Sequence, residues 1–402
     1  MCKSDLAVYG GKALRTSPFP PRGAMGNEER AAVQEVLAYY KNVAEDMPFQ
    51  GHFEERYTNA FVAYQGGEGY CDAVNSGTAG LYIAIAALKL PKGSSILVSP
   101  VTDPGTISAI ILNGLVPVLV DSAQGSFNVN IETIKERMTD AVSAFVIVHV
   151  GGVAVRMDEI KEYAYTHGIK VIEDCSQAHG AEVCTQKVGT FGNVAVFSTM
   201  FSKNHISGSC GGLIYTKDAA LFERIRSYAD RGKNFANGKR DLKRPSLNLY
   251  PSLNFNQDEI SCGIGEASLK KLDNMRKRRI DFLIQLRDVL SRCSYVQGAY
   301  LVTDEMSPFF YPLKLSLDKI SCSKIAFAEA VGAEGIAMNP DYDFLVSDWP
   351  WCQQYLGDSF TPHNAKQFRE RTFNILFNEN YGKQEAVDIG EAIFKVEKSY
   401  GR

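Results

Sequence analysis

Short apolar runs recur between residues 94 and 216, and helix-like segments separate several of them. The runs are rich in Val and Ile and show little alternation of apolar and polar positions, which is typical of strands buried on both faces. They predict strands at residues 94–99, 116–121, 143–150, 170–174, 194–199 and 211–216, and helical spacing predicts helices at residues 79–90 and 157–168. Strands that alternate with helices predict an α/β fold whose mostly parallel sheet is covered by helices.

The last third of the chain follows a different pattern. Residues 264–293 have the apolar spacing of one long amphipathic helix, and a mixed α/β tail ends in a helical pattern at residues 386–400. We therefore predict a large domain at residues 1–258, which includes the N-terminal segment, and a smaller C-terminal α/β domain at residues 259–402.

Composition and charge narrow the class of protein. The 402 residues are 45% hydrophobic and 22% charged, which is ordinary for a globular protein, and the formal net charge of −3 does not favour nucleic acid or an anionic membrane as partner. No signal-peptide pattern and no run of ~18 apolar residues occurs, so we expect no membrane segment. The nine cysteines are scattered without zinc-ligand spacing, which fits reduced thiols in the cytoplasm and no metal site.

Three short stretches carry candidate chemistry. Asp174 ends an apolar strand, where open α/β sheets present ligand-binding groups, although a carboxylate there is also a common helix N-cap. The turn at residues 75–80, NSGTAG, opens an apolar helix, and its exposed N–H groups with the Thr78 hydroxyl suit a phosphate. A plain N-cap is the alternative for that turn.

The third stretch, FSTMFSKN at residues 197–204, places Lys203 five residues after Ser198, which ends a strand. A lysine in a partly desolvated pocket has a lowered pKa and can form a Schiff base, whereas a solvated surface lysine is the alternative. Each signal is weak alone. A phosphate seat, a strand-end carboxylate and a Schiff-base lysine together match the requirements of pyridoxal 5'-phosphate.

The chain resembles the DegT/DnrJ/EryC1/StrS family of sugar aminotransferases, a pyridoxal phosphate-dependent branch of the fold-type I aminotransferases. The resemblance covers most of the chain. It is carried by SGTAGL (76–81), EDCSQAHGA (173–181), VGTFGNVAVFSTMFSKN (188–204) and LNFNQDE (253–259).

The resemblance implies roles for particular residues. Lys203 corresponds to the lysine that binds the cofactor aldehyde, Asp174 to the partner of the pyridine nitrogen, and Gln177 to a residue near the phenolic oxygen of the ring. The family's phosphate-binding positions correspond to Gly77, Thr78 and Ser198. Asn254 corresponds to an asparagine that reaches the phosphate of the neighbouring subunit, so the resemblance implies a homodimer with shared active sites.

The chain departs from the family pattern at several positions. Asp103 occupies the place of the aromatic residue that usually stacks on the cofactor, and Asn256 replaces an arginine. The glycine-rich turn after Lys203 is one residue longer than usual and carries Cys210. These differences point to a divergent branch.

The function implied by the resemblance is amino transfer from glutamate or glutamine to a keto-sugar or a keto-cyclitol. Relatives with His in place of the lysine are sugar dehydratases, so Lys203 favours transamination. A dehydratase or epimerase of the same fold and a non-catalytic cofactor-binding protein remain alternatives. The basic segment at residues 231–244 suits a diphosphate and hence a nucleotide-linked sugar, unless it is a solvated loop.

Other polar residues have less specific interpretations. His205 is expected in a loop or near the substrate, and His149 and His179 are expected as core or loop histidines with satisfied ring nitrogens. Arg369 and Arg371 are candidates for the donor carboxylate only by charge.

Overall fold

The main sheet lies in the first two thirds of the chain. A computed structural model describes residues 3–235 and 244–402, and within these residues the sheet has seven strands. The strands before residue 220 are β1 Tyr70–Val74, β2 Ser95–Val98, β3 Val116–Leu119, β4 Val142–Val148, β5 Lys170–Asp174, β6 Glu182–Val183, β7 Gln186–Lys187, β8 Val194–Ser198 and β9 Gly212–Thr216. Strands β6 and β7 form a separate hairpin.

The strand order of the main sheet is β1-β9-β8-β5-β4-β2-β3. Strand β9 runs antiparallel to both of its neighbours, and the other strands are parallel to one another. The prediction of a mostly parallel sheet is confirmed. Strand β1 was not among the predicted strands, and it lies at the edge of the sheet beside β9.

Successive residues of the central strands point into two different hydrophobic cores. One core contains Leu97, Phe145 and Phe197, and the core on the other face contains Val146 and Val196. Because both faces are buried, polar residues have no solvent-facing positions in these strands. This explains the lack of apolar–polar alternation in the sequence.

Helices cover both faces of the sheet. Val36 and Phe61 join one core, and Ile83, Ile110 and Ile225 join the other. The helices are α1 Asn27–Val43, α2 His52–Tyr64, α3 Gly77–Ala87, α4 Pro104–Leu112, α5 Ile131–Lys135, α6 Met157–Thr166, α7 Ala219–Ala229, α8 Glu259–Leu269, α9 Leu272–Leu290, α10 Lys324–Ala333, α11 His363–Arg371 and α12 Lys383–Tyr400. None of the helices in the described ranges is long and apolar enough to span a bilayer.

A second, antiparallel sheet lies in the C-terminal part. Its strands are β10 Val296–Gly298, β11 Tyr311–Leu315, β12 Met338–Asn339 and β13 Thr372–Ile375, in the order β10-β11-β13-β12. It packs with α9, α10 and α12 around a separate core, to which Leu6 from the N-terminal segment also contributes. The smaller α/β unit is therefore built around its own core.

The prediction of one helix over residues 264–293 is wrong. The chain forms α8 and α9, with Lys270 and Lys271 between them. Helix α8 packs on α1 and α2, whereas α9 packs on α12, so the two halves of the apolar stripe serve different cores. The domain division between residues 258 and 259 stays a prediction.

Candidate active site

Three predicted residues lie near the same edge of the main sheet. Strands β5 and β8 run parallel and end at Asp174 and Ser198, and β1 ends next to the turn that contains Gly77. Gly212 of β9 pairs with both Ser198 and Val74, so the ends of β1 and β8 flank one residue. The carboxyl ends of parallel strands are where open α/β sheets bind ligands.

The turn at the start of α3 packs tightly against the end of β8. Ser76 is the N-cap, and its side chain accepts a hydrogen bond from Ala79 N at 3.1 Å. A Cβ atom placed on Gly77 would lie only 2.6 Å from the Ser198 Cβ atom. The absence of a side chain at Gly77 therefore lets the helix N-terminus and the Ser198 hydroxyl approach each other.

Two hydroxyl groups at this turn are available to a ligand. Within residues 3–235 and 244–402, neither Ser198 Oγ nor Thr78 Oγ1 has a hydrogen-bond partner, and Thr78 is exposed. A Cβ atom on Gly105 would clash with Thr78 Oγ1, so the first turn of α4 lies beside the first turn of α3. The N-terminus of α3 and the two hydroxyls form a site suited to an anion.

Asp174 holds a buried carboxylate beside this anion site. Its Oδ1 accepts from Ser176 N at 3.1 Å, and its Oδ2 accepts from the Thr106 hydroxyl at 3.3 Å. The residues that follow Asp174 form turns rather than a helix, so the alternative of a helix N-cap is not realised. The carboxylate is fixed and has capacity for a further cationic or N–H partner.

Lys203 lies on the loop between β8 and β9, and its side chain is half-buried. Its Nζ atom lies 4.9 Å from the centroid of the Phe309 ring and has no ion pair or hydrogen bond in the described part of the chain. Burial lowers the pKa of the Lys203 amine, and the negative charges of Asp174 and Asp103 only partly oppose this effect. More of the amine is therefore neutral, which is the nucleophilic form.

The main chain of the Lys203 loop is held by a buried ionic network. Arg22 donates to Lys203 O at 2.6 Å, and its Nε donates to Glu379 at 3.1 Å. Arg279 donates to Glu379 at 2.8 Å and to Asn204 Oδ1 at 2.6 Å. The network ties the backbone next to the reactive amine to α9 and to the loop before α12.

This network was not predicted from the sequence. Arg279 and Glu379 are separated from the Lys203 loop by many residues, and no short motif contains them together. One signal was present: Arg279 lies on the buried stripe of α9 between Met275 and Leu283, where an arginine requires a buried acceptor.

Gln177 lies between the sheet edge and the C-terminal unit. Its Oε1 accepts from Gly151 N at 2.8 Å, and its Nε2 donates to the Tyr342 hydroxyl at 3.1 Å. Tyr342 itself was not predicted as a site residue. The role of Gln177 beside the cofactor ring stays a prediction.

Asn254 makes no hydrogen bond to Lys203 or Ser198 within the described chain. It is exposed, and its Oδ1 accepts from the backbone N and the side-chain Nδ2 of Asn256, the latter at 2.6 Å. Asn256, which replaces the family's arginine, also accepts from Gln50 Nε2 at 2.9 Å. A contact with a neighbouring subunit stays a prediction.

Asp103, at the position of the expected aromatic residue, is the N-cap of α4. Its carboxylate accepts from Gly105 N at 2.8 Å. The side chain is exposed. Burial lowers the pKa of Lys203 and raises that of Tyr342, and the negative charge of Asp103 opposes the first of these shifts and adds to the second. Asp103 therefore faces the same space as these two residues.

Three histidines, His149, His179 and His205, are buried. His205 lies 2.6 Å from the Tyr57 hydroxyl, and burial lowers its pKa to about 3, so it is a neutral core residue and does not face the substrate. His149 contacts Glu173 at 3.3 Å and accepts from Val155 N. His179 differs from expectation, because neither of its buried ring nitrogens has a partner in the described chain.

The arginines considered for the donor carboxylate are less suitable. Arg369 is paired with Asp341, Asp343 and Asp348, the first at 2.5 Å. Arg371 is exposed on α11. Neither arginine is therefore favoured as the ligand of the donor carboxylate.

The basic segment at residues 231–244 lies partly outside the described residues, including Lys239, Arg240 and Lys243. In the described part, Arg231 and Lys233 pair with Asp230 at 2.7 and 2.6 Å. Binding of a diphosphate by this segment stays a prediction.

The residues at the sheet edge fit pyridoxal 5'-phosphate. The helix N-terminus with the Thr78 and Ser198 hydroxyls provides donors for a phosphate, and the Gly77 contact leaves these donors grouped around one space. The buried Asp174 carboxylate suits a protonated ring nitrogen, and the unpaired Lys203 amine suits an aldehyde. The donor set therefore matches each polar part of the cofactor.

Comparisons with known proteins agree with this chemistry. The model of the DegT/DnrJ/EryC1/StrS aminotransferase family matches residues 24–394. The chain is 30% identical over 348 residues to an L-glutamine:2-deoxy-scyllo-inosose aminotransferase from Streptomyces lividus, with 84% of this chain and 81% of that protein covered. The protein of the same name from Streptomyces fradiae is 35% identical over 239 residues, which cover 58% of this chain and 55% of that protein.

Solved structures show the same fold. An aminotransferase from Psychrobacter cryohalolentis superimposes with a TM-score of 0.87 over 95% of this chain and 100% of that chain, at 23% sequence identity. The layered architecture is thus shared over nearly the full length of both chains.

Proposed function

The chain belongs to the DegT/DnrJ/EryC1/StrS aminotransferase family, and from this premise we propose that it moves an amino group from glutamine or glutamate to a keto-cyclitol or a keto-sugar. Its cofactor is pyridoxal 5'-phosphate. The observation that carries the proposal is the half-buried, unpaired Lys203 amine with its lowered pKa, facing Asp174 at the end of β5.

The choice of substrates is supported by the relatives. Two of them are glutamine-dependent aminotransferases of 2-deoxy-scyllo-inosose, a keto-cyclitol. A third relative, from Aneurinibacillus thermoaerophilus, is a transaminase that forms a dTDP-linked amino sugar and is 33% identical over 219 residues. Glutamine is therefore the first donor to test, and both classes of acceptor belong in the test.

Each part of the site has a proposed task. When bound, the cofactor supplies an electrophilic aldehyde and a ring that accepts electrons. Thr78, Ser198 and the N-terminus of α3 bind the phosphate. Asp174 keeps a proton on the ring nitrogen, which preserves the electron-accepting character of the ring. Gln177 is assigned in this proposal to hydrogen-bond the phenolic oxygen.

Lys203 has two tasks in the proposal. Its neutral Nζ would hold the cofactor through the aldehyde, and the same amine, when free, would accept and return a proton at Nζ during the transfer. Arg22 binds the carbonyl oxygen of Lys203, and Arg279 binds the side chain of the next residue, Asn204, so the proton carrier returns to one position. Orientation of this kind lowers the barrier without new bonds.

We also propose a homodimer in which Asn254 of the partner subunit completes the phosphate site. The exposure of Asn254 in a single chain is compatible with that role. A cytoplasmic location is proposed from the eight free cysteines of the described residues, since reduced thiols are maintained there.

Two other functions are kept as alternatives. Asp103 and Asn256, which depart from the family pattern, are the observations that favour a non-catalytic cofactor-binding protein. A dehydratase or epimerase would use the same fold and the same cofactor. The presence of Lys203 favours amino transfer over both.

A half-reaction assay separates these functions. The protein is loaded with pyridoxal 5'-phosphate, freed of excess cofactor and mixed with glutamine or glutamate. We expect loss of the visible absorbance of the lysine-bound cofactor and release of one keto acid per site. Adding 2-deoxy-scyllo-inosose or a nucleotide-linked keto-sugar should then restore the absorbance and yield the amine.

The assay has two contrary outcomes. No spectral change with either donor would contradict amino transfer and favour the non-catalytic alternative. Loss of water from the acceptor, or its inversion, without net amino transfer would favour the dehydratase or epimerase.

A further inference from the structure

A cavity of about 510 Å³ lies beside the Lys203 loop, between the two units of the chain. Its lining includes Ser202, next to Lys203, and Phe309, the ring over which the Lys203 amine lies. Tyr342, whose hydroxyl accepts a hydrogen bond from Gln177, forms another part of the wall. A ligand in this cavity would therefore lie next to the reactive amine.

The cavity wall contains a buried amide that lacks a partner. Asn374 on β13 is only 1% exposed, and its Oδ1 has no hydrogen-bond partner in the described chain. An unsatisfied buried acceptor costs free energy and is rare in folded proteins. Such a group at the wall of a cavity points to a ligand that donates a hydrogen bond.

The charged residues of the same wall are already engaged by the protein. Arg22 and Arg279 share the Glu379 carboxylate. Arg22 also donates to Lys203 O, and Arg279 also donates to Asn204. Their guanidinium groups therefore do not offer a free pair of N–H donors to a phosphate or a carboxylate.

The rest of the wall is largely aromatic. Phe310 and Phe377 join Phe309 and Tyr342, and Asn339 adds a second amide. An apolar, aromatic wall with a few fixed polar groups suits a ring that has both C–H and hydroxyl groups. A phosphate or carboxylate has no proton to donate to the Asn374 oxygen, whereas a ring hydroxyl does.

We propose that Asn374 is a specificity-determining residue, whose Oδ1 accepts a hydrogen bond from a ring hydroxyl of the amino acceptor bound in this cavity. The inference rests on the proposed function for the identity of the reaction. It goes further in two ways. It places the ring of the amino acceptor in the aromatic cavity, and it assigns recognition of a ring hydroxyl to the side-chain amide of Asn374. Sites built to bond a hydroxyl discriminate strongly against analogues that lack it.

The first experiment measures binding without turnover. Isothermal titration compares scyllo-inositol, an unreactive hydroxylated ring, with cyclohexanol on the cofactor-loaded protein and on Asn374→Leu. We expect the substitution to weaken scyllo-inositol binding about tenfold or more, and cyclohexanol binding much less. Asn374→Asp, which keeps an acceptor oxygen at this position, should retain more of the affinity than Asn374→Leu.

Stability and kinetics exclude a merely structural role. Since Asn374 Oδ1 has no protein partner in the described chain, Asn374→Leu should not lower the melting temperature. The KM for 2-deoxy-scyllo-inosose should rise about tenfold or more, while the rate of the glutamine half-reaction stays within about threefold.

Three results would overturn the inference. They are no binding of scyllo-inositol to the unsubstituted protein at about 10 mM, equal binding by the Leu variant, or a slowed glutamine half-reaction with unchanged acceptor KM. The last result would assign the amide to the donor. Failure of the proposed function has a different signature, since absence of the glutamine half-reaction does not affect the titration.

Discussion

The Lys203 side chain is half-buried and also lies near negative charges, and these two conditions have opposite effects on the pKa of its amine. Its amine lies near the carboxylates of Asp174 and Asp103, yet burial has the larger effect and lowers the pKa of the amine. The side chain has no fixed partner in the described chain, although its backbone is held by Arg22. A free amine on a fixed backbone is the arrangement that a covalent cofactor anchor needs.

The lowered pKa of Lys203 predicts a pH dependence of stability for the cofactor-free protein. The unfolded chain keeps the ordinary lysine value near 10.5. Between the lowered folded value and 10.5 the unfolded state binds more protons, so stability rises with pH across this window. Below the folded value the full destabilisation is present.

Lys203→Met removes this titration. The variant should therefore be more stable than the parent at pH 7, and the difference should shrink as the pH rises toward 10.5. Denaturant unfolding of both proteins at several pH values provides the measurement. Lys170→Met, at an exposed position, is the matched control. We expect the difference in free energy of unfolding between this variant and the parent to be the same at each pH. Parallel pH profiles for parent and Lys203→Met would contradict the burial of this charge.

The residues of short motifs were predictable from the sequence, and those of the surrounding network were not. Lys203, Asp174 and Ser198 end or follow apolar strands, and their placement near one sheet edge follows from the parallel strand order. Glu379 and Asn374 belong to a part of the chain that meets this edge only after the two units pack. No local pattern encodes such a contact, because it depends on the packing of whole elements.

The junction of β8 with α3 depends on a glycine. A Cβ atom on Gly77 would lie 2.6 Å from the Ser198 Cβ atom, closer than packed side chains allow. Gly77→Ala should therefore push α3 away from β8, with an overpacking cost of about 1–3 kcal/mol and weaker phosphate binding. Equilibrium titration with pyridoxal 5'-phosphate and denaturant unfolding test both effects.

Gly332→Ala is the matched control for this substitution. Gly332 is also a helical glycine, but nothing in the described chain lies within 4 Å of the position that a Cβ atom would occupy there. We expect this variant to be neutral or more stable by up to about 1 kcal/mol, because alanine has the higher helix propensity. Equal effects of the two substitutions would rule out the proposed contact as the cause.

The loop of Lys203, helix α9 and the segment before α12 are joined through Glu379. This carboxylate accepts from Arg22 and from Arg279, of which Arg279 is 3% exposed. Glu379→Gln would leave two largely buried guanidinium groups without their counter-charge. The expected loss is about 3–5 kcal/mol in the free energy of unfolding, together with a lower rate of cofactor attachment to Lys203.

Asp158→Asn serves as the control, because Asp158 pairs with the exposed Arg156. Its effect on unfolding should be much smaller, since exposed ion pairs contribute little. Denaturant unfolding of the three proteins in one buffer provides the comparison. If Glu379→Gln behaved like the control, the network would not support the loop.

The central strands were predictable because their burial on both faces leaves uninterrupted apolar runs. The division between α8 and α9 was not, since both helices are amphipathic and no Gly or Pro lies between them. Helix α8 packs on α1 and α2, and α9 packs on α12. The break therefore results from packing against two different cores.

Within the described residues, the cavity next to Lys203 is lined both by the Lys203 loop and by residues of the C-terminal sheet. A hydrophobic cluster with Val101 and Phe127 from one unit and Phe310 and Tyr342 from the other joins the two units. The fold class could be predicted from apolar patterns, and the family from its motifs. The shared active site of a dimer was implied only by resemblance, because one chain carries no direct sign of its partner.

Complementation tests the proposed sharing of sites. Lys203→Ala and Asn254→Ala homodimers should each have little activity. When the two chains are unfolded, mixed in equal amounts and refolded together, half of the sites in each mixed dimer contain both original residues. Statistical pairing then predicts recovery of about a quarter of the original activity. Recovery of none, with mixed dimers demonstrated by differential tags, would contradict a shared site.

The most direct test of the account is chemical trapping of the cofactor on the protein. The cofactor-loaded protein is reduced with borohydride, digested and mapped by mass spectrometry, with Lys203→Ala treated in parallel. We predict one pyridoxyl group per chain, on Lys203, and none at that peptide in the variant. A pyridoxyl group on another lysine, or equal labelling of both proteins, would contradict the assignment of Lys203 as the covalent anchor.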